Sequence, residues 1–145
     1  MYRVYLACVF FFVLLIQGCA APESLFKPAR LVHDPQDLLG HEEQGLASWY
    51  GPRSHGQFTA SGEVYNMYAM TAAHKNLPFD TRLQVTNLDN EKQITVRIND
   101  RGPFVQGRIL DLSYAAARKL DLIKAGTAPV HIKVLETPAS LASKE

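Results

Sequence analysis

The stretch LQVTNLDNEKQITVRIND, residues 83–100, decides the fold class of this chain. Apolar side chains at Leu83 and Val85, and again at Ile94, Val96 and Ile98, alternate with polar ones. Alternation with a period of two is typical of β-strands that bury one face. The residues that join the two runs are turn formers. The sequence therefore predicts a β-hairpin.

The flanking sequence extends this pattern in both directions. Residues 130–134 alternate in the same way and predict a closing strand, while residues 46–50 favour an opening strand. One helix is predicted, with Ser113 as its N-cap and residues 114–120 rich in helix formers with cations in the last turn. Short strands separated by Gly and Pro predict a single all-β barrel domain over residues 44–135, with one short helix.

The N-terminus has the pattern of a lipoprotein signal peptide. Arg3 precedes the apolar run Val4–Ile16, which is shorter than the roughly 20 residues that a membrane-spanning helix needs. The order Gln17-Gly18-Cys19 resembles the bacterial lipobox, in which the cysteine is acylated and becomes the first mature residue. We therefore expect removal of residues 1–18 and a lipid anchor on Cys19. The alternative is a cysteine that packs in a core.

The segments on either side of the predicted barrel have the composition of connections. Residues 19–43 contain prolines and scattered charges without a sustained period, which predicts a tether between the anchor and the domain. An N-terminal arm that packs against the domain is the alternative. Residues 136–145 are small and polar, and we expect disorder there.

Composition excludes several classes of partner. Loss of Arg3 with the leader leaves 14 basic against 14 acidic residues, and a net charge near zero argues against nucleic-acid binding. Loss of Cys8 leaves one cysteine, which the lipid would occupy, so no disulfide is expected. The histidines, at 33, 41, 55, 74 and 131, have no Cys or carboxylate partners at ligand spacing. We expect no metal, no cofactor and a monomer.

A series of short motifs occurs in the order and at the separations of a known family. The motifs are residues 47–51 (ASWYG), 55–56 (HG), 59–63 (TASGE), 71–74 (TAAH), 77–78 (LP), 85–88 (VTNL), 98–104 (INDRGPF) and 109–113 (ILDLS). Together they closely resemble the rare lipoprotein A (RlpA) family over nearly the whole predicted domain. The resemblance implies a six-stranded double-psi β-barrel, the architecture shared with expansins and family 45 endoglucanases. It also implies a lytic transglycosylase that prefers peptidoglycan glycan strands without stem peptides.

The implied reaction needs an acid and a base from the protein. A lytic transglycosylase cleaves the β-1,4 bond between N-acetylmuramic acid and N-acetylglucosamine without water, and the C6 hydroxyl of the muramic sugar attacks its own anomeric carbon. One carboxyl group can protonate and deprotonate in turn. Asp100 is the first candidate, because it shares the parity of Ile94, Val96 and Ile98 and is expected to point to the apolar face. Alternatively, Asp100 only pins the turn at 101–103 through backbone hydrogen bonds.

The resemblance marks Glu63 and His74 as further catalytic residues. Glu63 follows Gly62 in a loop without a cationic neighbour in sequence, which favours ligand contact over packing, and a solvated surface carboxylate is the alternative. His74 follows small residues that leave its ring room in a groove. There it could orient Asp100, shuttle a proton or bind sugar hydroxyls, or it could serve only as a structural hydrogen-bonding group.

A second set of residues is expected to bind the sugar chain. Asp111 lies in an Asp-Leu-Ser context like that of expansins and is the rival acid, or else it caps the helix after it. Trp49 and Tyr50 could stack on sugars, but neighbours on a strand point to opposite faces, so at most one of them faces the groove and core burial is the alternative. Arg101, next to the proposed acid, completes the set.

Two functions from different classes follow from these observations. The first is a lytic transglycosylase; the second is an expansin-like envelope lipoprotein that binds peptidoglycan without cleaving it. The presence of Glu63, His74 and Asp100 favours the enzyme. In either case we expect the protein in the cell envelope, facing the periplasm. Ala20 rather than an aspartate follows the predicted acylated cysteine, which favours the outer membrane over the inner membrane.

Overall fold

A computed structural model describes residues 38–143 of the chain. The predicted signal peptide, the proposed anchor Cys19 and the tether up to residue 37 lie outside the described residues. Within the described range, no helix is both long and apolar enough to cross a membrane. The elements in chain order are β1 (Glu42–Trp49), a 3₁₀ turn (Pro52–Ser54), β2 (Thr71–His74), β3 (Arg82–Asn87), β4 (Gln93–Asp100), β5 (Arg108–Leu112), α1 (Tyr114–Lys119), β6 (Ala128–Glu136) and α2 (Pro138–Ala142).

The six strands close into one barrel in the order β1-β5-β2-β4-β3-β6. The β1–β5 and β2–β4 pairs are parallel, whereas the other four neighbouring pairs are antiparallel. Because each of these strands has a hydrogen-bonded neighbour on both sides, closure removes the exposed edges that an open sheet would present. The prediction of an all-β, six-stranded barrel is confirmed.

The core lies inside the barrel and continues under α1. Alternate residues of the strands point inward, as the period of two in the sequence requires. Burying a large apolar side chain fully is worth about 1.5–3 kcal/mol relative to leaving it exposed, so these positions dominate the stability. The largest fully buried apolar side chains are Leu83, Val85, Val96, Ile98, Leu110, Leu112, Leu120, Leu122, Val130, Ile132 and Val134.

The predicted hairpin and the predicted helix are both present. β3 pairs with β4 in antiparallel register, with Val85 opposite Ile94. At the start of α1, the Ser113 hydroxyl accepts a hydrogen bond from the backbone N–H of Ala116 at 3.2 Å. Ala116 and Ala117 are buried against the core, which explains why a helix this short is stable here.

The ordered domain is longer at both ends than the sequence predicts. β1 begins at Glu42 rather than at residue 44, because Glu42 already pairs with Lys133 of β6. The expected disorder beyond 135 is not found over residues 136–143, where β6 ends and α2 follows. Thr137 is fully buried and forms a capping box with Ser140, in which each side chain accepts a hydrogen bond from the other residue's backbone N–H.

Candidate active site

Asp100 is the last residue of β4, and a bulge in that strand sets its orientation. Ala72 pairs with Ile98, whereas Ala73 pairs with Asp100, so Asn99 is an extra residue on β4. Ile98 is fully buried in the core, and the bulge turns Asp100 to the outer face together with Ala73. The face predicted for Asp100 from its parity is therefore wrong, because alternation alone does not reveal a bulge.

Asp100 belongs to a row of side chains that crosses four strands. Asp111 pairs with Ser48 on one side and with Ala73 on the other, and Ala73 pairs with Asp100. The sequence neighbours of Asp111 are both fully buried, so Asp111 also points outward. With neighbouring strands roughly 4.8 Å apart, the backbones of the two aspartates are about 10 Å apart. In the described strands, the methyl group of Ala73 lies between them.

The aspartate row forms the floor of an open cleft of about 210 Å³, called the aspartate cleft below. Four of the predicted site residues line it, namely Tyr50, Asp100, Arg101 and Asp111, whereas Trp49, Glu63 and His74 do not. The other lining residues come mainly from the loop between β1 and β2. They are Ser54, Gln57, Phe58, Thr59 and Tyr65, with Ala73 on the floor.

The carboxylate of Asp100 is held by one oxygen. Its Oδ1 accepts hydrogen bonds from the backbone N–H groups of Ala60 at 2.9 Å and Arg101 at 2.8 Å. Its Oδ2 has no hydrogen-bond partner within residues 38–143. The bond to Arg101 is the one expected if Asp100 pins the following turn. The unoccupied oxygen additionally leaves Asp100 able to exchange a proton with a ligand in the cleft.

The carboxylate of Asp111 is held by both oxygens. Its Oδ1 accepts a hydrogen bond from the Ser48 hydroxyl at 2.5 Å, and its Oδ2 lies 3.4 Å from Nη2 of Arg108. Arg108 thus balances its negative charge. Asp111 does not cap α1, because Ser113 occupies that position. The two aspartates of the row therefore differ: among the described residues, Asp100 has one oxygen without a partner, whereas Asp111 is paired with a cation.

Tyr50 covers one side of the cleft with its ring. The ring packs on that of Tyr65, with the centroids 4.4 Å apart. Burial raises the pKa of the Tyr50 hydroxyl well above its ordinary value, and the nearby Tyr65 and Asp100 act in the same direction, so the hydroxyl stays neutral. It lies beside the Thr71 hydroxyl, but neither group meets the geometry of a hydrogen bond with any described residue.

Trp49 and Arg101 are both engaged by the protein itself. Trp49 points away from the cleft, packs against the core and lies 5.8 Å from the ring of Tyr114. Arg101 lies on the ring of Phe79, 3.8 Å from its centroid, and its Nη1 donates to the backbone carbonyl of His74 at 3.4 Å. Only Arg101 of these two reaches the cleft.

Glu63 forms an ion pair that the local sequence does not suggest. Arg97, 34 positions away, donates from Nη1 and Nη2 to the two carboxylate oxygens at 2.6 and 2.8 Å. Asn99 donates to Oε2 at 3.0 Å. The hydrogen bonds from Arg97, and then that from Asn99, lower the pKa of Glu63 to about 2. Glu63 is therefore ionised at neutral pH and has no proton to donate.

Glu63 also supports Asp100, through the segment of chain to which it belongs. The backbone of Glu63 accepts a hydrogen bond from the N–H of Thr59 at 2.8 Å, and Ser61 donates to the carbonyl of Asn99 at 3.3 Å. The segment 59–63 is thereby fastened to the end of β4. Because this segment carries the Ala60 N–H that holds Asp100, the Glu63 side chain fixes the position of the Asp100 carboxylate indirectly.

His74 is buried at the end of β2, on the opposite face from Ala73. Its Nδ1 accepts hydrogen bonds from the backbone N–H groups of Asn76 at 3.2 Å and Leu77 at 3.1 Å. Its Nε2 lies 3.3 Å from Oε2 of Glu43, which fits a neutral ring protonated at Nε2. Burial lowers the pKa of His74, and Glu43 partly offsets this. Both ring nitrogens thus have protein partners.

Several residues of the site were not singled out from the sequence. Ser48 and Ala73 lie inside the family motifs, but nothing in the sequence indicates that such small side chains lie beside the two aspartates. Arg108 was missed because residues three apart on a regular strand point to opposite faces, whereas a register shift in β5 brings Arg108 and Asp111 together. Phe58 offered one usable signal: a phenylalanine between the polar residues Gln57 and Thr59 has no apolar neighbour with which to form a buried strand face.

Comparisons with known proteins identify relatives of this chain. Residues 42–132 match the protein family described as Lytic transglycolase. Endolytic peptidoglycan transglycosylase RlpA of Campylobacter jejuni is 58% identical over 97 residues, which cover 67% of this chain and 35% of that protein. The protein of the same name from Vibrio cholerae is 54% identical over 109 residues, covering 75% and 40% respectively. This chain therefore spans between about a third and two fifths of the length of these curated relatives.

A solved structure identifies the fold. A mutant expansin of Clavibacter michiganensis in complex with cellohexaose superposes with a TM-score of 0.54 at 20% identity, covering 68% of this chain and 52% of the expansin chain. With its closed mixed sheet, the domain is a double-psi β-barrel. The chain belongs to the RlpA-like family of these barrels.

Proposed function

We propose that this chain is a lytic transglycosylase that cleaves the β-1,4 bond between N-acetylmuramic acid and N-acetylglucosamine, preferring glycan strands without stem peptides. One observation carries the proposal. Within residues 38–143, the aspartate cleft holds two carboxylates with the side chain of Ala73 between them. Asp100 has one oxygen without a hydrogen-bond partner, and Asp111 is ion-paired with Arg108. This spacing leaves room for a glycosidic oxygen between two carboxyl groups.

The reaction needs one proton transfer path and no external nucleophile. The bond from the muramic C1 to the glucosamine O4 breaks, and a bond from C1 to the muramic O6 forms. The proton of the C6 hydroxyl is removed, and a proton is delivered to O4 of the leaving sugar. In the proposal Asp100 carries out both transfers through Oδ2. Asp111 remains an anion and stabilises the positive charge that develops at C1 in the transition state.

The other predicted residues take supporting roles in this proposal. Glu63 positions Asp100 through the segment 59–63, and His74 holds the end of β2 on which the row depends. Tyr50 and Arg101 line the cleft and contact the sugar, whereas Trp49 supports the site from the core side. The reaction uses only these side chains and the substrate, so the proposal includes no metal or cofactor.

Two of the comparisons support the choice of substrate class. The relatives from Campylobacter jejuni and Vibrio cholerae are named as endolytic peptidoglycan transglycosylases. The family match over residues 42–132 includes every residue that lines the aspartate cleft. The expansin with the same fold was solved with cellohexaose, another β-1,4-linked glycan. A glycan strand in the aspartate cleft is consistent with both.

The proposal is tested by incubating the purified full-length chain with amidase-stripped peptidoglycan. Mass spectrometry of the soluble fraction should detect products with 1,6-anhydro ends, and intact peptidoglycan should release fewer of them. If no anhydro ends appear over a range of pH while the chain still pellets with the glycan, the chain is instead an expansin-like binding module without cleavage activity.

We also propose that the chain is a lipoprotein anchored through Cys19 and facing the periplasm, in the outer membrane. The support is the lipobox pattern that follows Val4–Ile16, with Ala20 after the cysteine. Cys19→Ser is expected to block acylation and cleavage, which leaves a precursor that is heavier by the signal peptide. Normal processing of the variant, together with continued partitioning into detergent micelles, would contradict the anchor.

A further inference from the structure

We propose that Phe58 and Phe104 are stacking platforms for two sugar rings of the glycan strand, one on either side of the aspartate cleft. The inference rests on the proposed function and extends it from the reacting bond to the flanking sugars. It assigns a binding role to two side chains that contribute neither to the core nor to the proton transfers.

The most exposed apolar side chains are concentrated in the two loops that carry Phe58 and Phe104. The five most exposed large apolar residues within 38–143 all lie in the loop between β1 and β2 or in the loop between β4 and β5. Phe104 is 87% exposed and Phe58 is 79% exposed. The exposed leucines elsewhere on the described barrel reach at most 47%. A concentration of this kind marks a binding surface, whereas isolated exposed apolar residues need no explanation.

Both rings lie next to the proposed catalytic carboxylates. Phe58 lines the aspartate cleft together with Asp100. On the other side, a Cβ at Gly102 would lie 3.8 Å from the ring of Phe104 and 3.9 Å from Oδ2 of Asp111, so Phe104 stands beside the second carboxylate. Gly102 has φ +131, a backbone conformation that side chains other than glycine rarely adopt.

The backbone holds Phe58 in place while its ring remains free. Phe58 forms a β-bridge with Val64, and the flanking hydrogen bonds run from Tyr65 N–H to the Gln57 carbonyl at 2.7 Å and from Gly56 N–H to the Tyr65 carbonyl at 3.0 Å. An aromatic side chain has only two rotatable side-chain bonds, so little conformational entropy is lost when a ligand covers it. The exposed ring of Phe58 is therefore pre-organised for contact with a ligand.

The aspartate cleft is too small to hold a glycan strand by itself. Its volume of about 210 Å³ is below the roughly 300–1,000 Å³ of pockets that enclose a drug-sized ligand. A glycan strand is much longer than the cleft, so the sugars on either side of the scissile bond must lie on the rims. Pyranose rings present flat arrays of C–H groups, which pack on aromatic faces.

The binding test uses full-length chains that carry Asp100→Asn, so that binding is measured without cleavage. Phe58→Ala and Phe104→Ala are each expected to raise the Kd for long amidase-stripped strands by about tenfold, which is typical of the loss of an aromatic anchor. Phe58→Tyr and Phe104→Tyr keep the flat face and should bind nearly as tightly as phenylalanine. A stripped disaccharide, too short to reach the rims, should bind all variants alike.

Steady-state kinetics of chains that keep Asp100 should distinguish the two alanine variants from the control in the same way. Both alanine variants should raise KM for long strands with kcat little changed, and their melting temperatures should stay constant because the rings are exposed. Leu88→Ala, which removes an exposed apolar side chain in the turn between β3 and β4, is the matched control.

Three results would overturn the inference. Alanine variants that bind long strands as Leu88→Ala does would exclude a binding role, and Phe58→Leu and Phe104→Leu that bind as phenylalanine does would exclude stacking. A chain without these substitutions that neither pellets with glycan nor releases anhydro ends would refute the proposed function and this inference together. In the first two cases the unsubstituted chain still cleaves, so the two failures are distinguishable.

Discussion

Asp100→Asn is expected to lower the release of 1,6-anhydro ends by roughly 10²–10⁴-fold, the usual contribution of general acid–base catalysis. Asparagine keeps the shape of the side chain, and its oxygen can still accept hydrogen bonds from the N–H groups of Ala60 and Arg101. The amide nitrogen that replaces Oδ2 cannot exchange the proton that the reaction needs. Melting temperature and pelleting on stripped glycan should therefore be retained, while mass spectrometry shows the loss of product.

Two other aspartates provide the controls for this substitution. Asp89→Asn makes the same chemical change in the exposed turn between β3 and β4 and should leave product release unchanged. Asp111→Asn weakens the contacts with Ser48 and Arg108, so it should lower both the melting temperature and product release. If Asp100→Asn keeps near-normal release while Asp111→Asn loses it at an unchanged melting temperature, the roles are inverted and Asp111 is the acid.

His74→Ala is expected to lower the free energy of unfolding by about 3 kcal/mol or more. The substitution leaves a cavity in place of a buried ring, and it removes the acceptor of the Asn76 and Leu77 N–H groups, each costing about 1–3 kcal/mol if unsatisfied. At roughly 4–8 °C per kcal/mol for a domain of this size, the melting temperature should fall by about 10 °C or more. His74→Gln, which keeps an acceptor, should recover part of the loss.

The same residue is expected to make stability depend on pH in the weakly acidic range. Burial lowers the pKa of His74 below its ordinary value; Glu43 acts in the opposite direction, whereas Arg101 and His41 add to the lowering. Below about pH 6.5 the unfolded chain therefore binds a proton that the native chain still excludes. The free energy of unfolding falls as the pH decreases through this window. His74→Gln should show a smaller fall when denaturant unfolding is measured at several pH values.

A purely catalytic role for His74 would give the reverse pattern. His74→Ala would then lose product release with an unchanged melting temperature, and the pH dependence of unfolding would match that of the original chain. Either finding would contradict the structural role that follows from its hydrogen bonds. Measuring release and unfolding on the same preparation separates the two possibilities.

The sequence by itself determined the fold class and the family, and it named both aspartates of the proposed mechanism, Asp100 and Asp111, as candidates. Alternation in 83–98 predicts a hairpin because a strand backbone turns successive side chains to opposite faces, a property that depends on neighbours alone. The cap at Ser113 is equally local, since a hydroxyl reaches only the N–H groups of the next turn. The disorder expected from 136 was not found, because the small polar residues Thr137 and Ser140 cap a helix there.

Only the tertiary structure decided how the candidate site is assembled. The bulge at Asn99 turns Asp100 outward, and it exists only in relation to the pairing partner β2. Glu63 meets Arg97 across 34 positions and Ser48 meets Asp111 across 63, so neither contact could be inferred from spacing in sequence. Alternation and caps act within a few residues, whereas the register of a closed barrel depends on all its strands at once, and the chemistry of this site depends on that register.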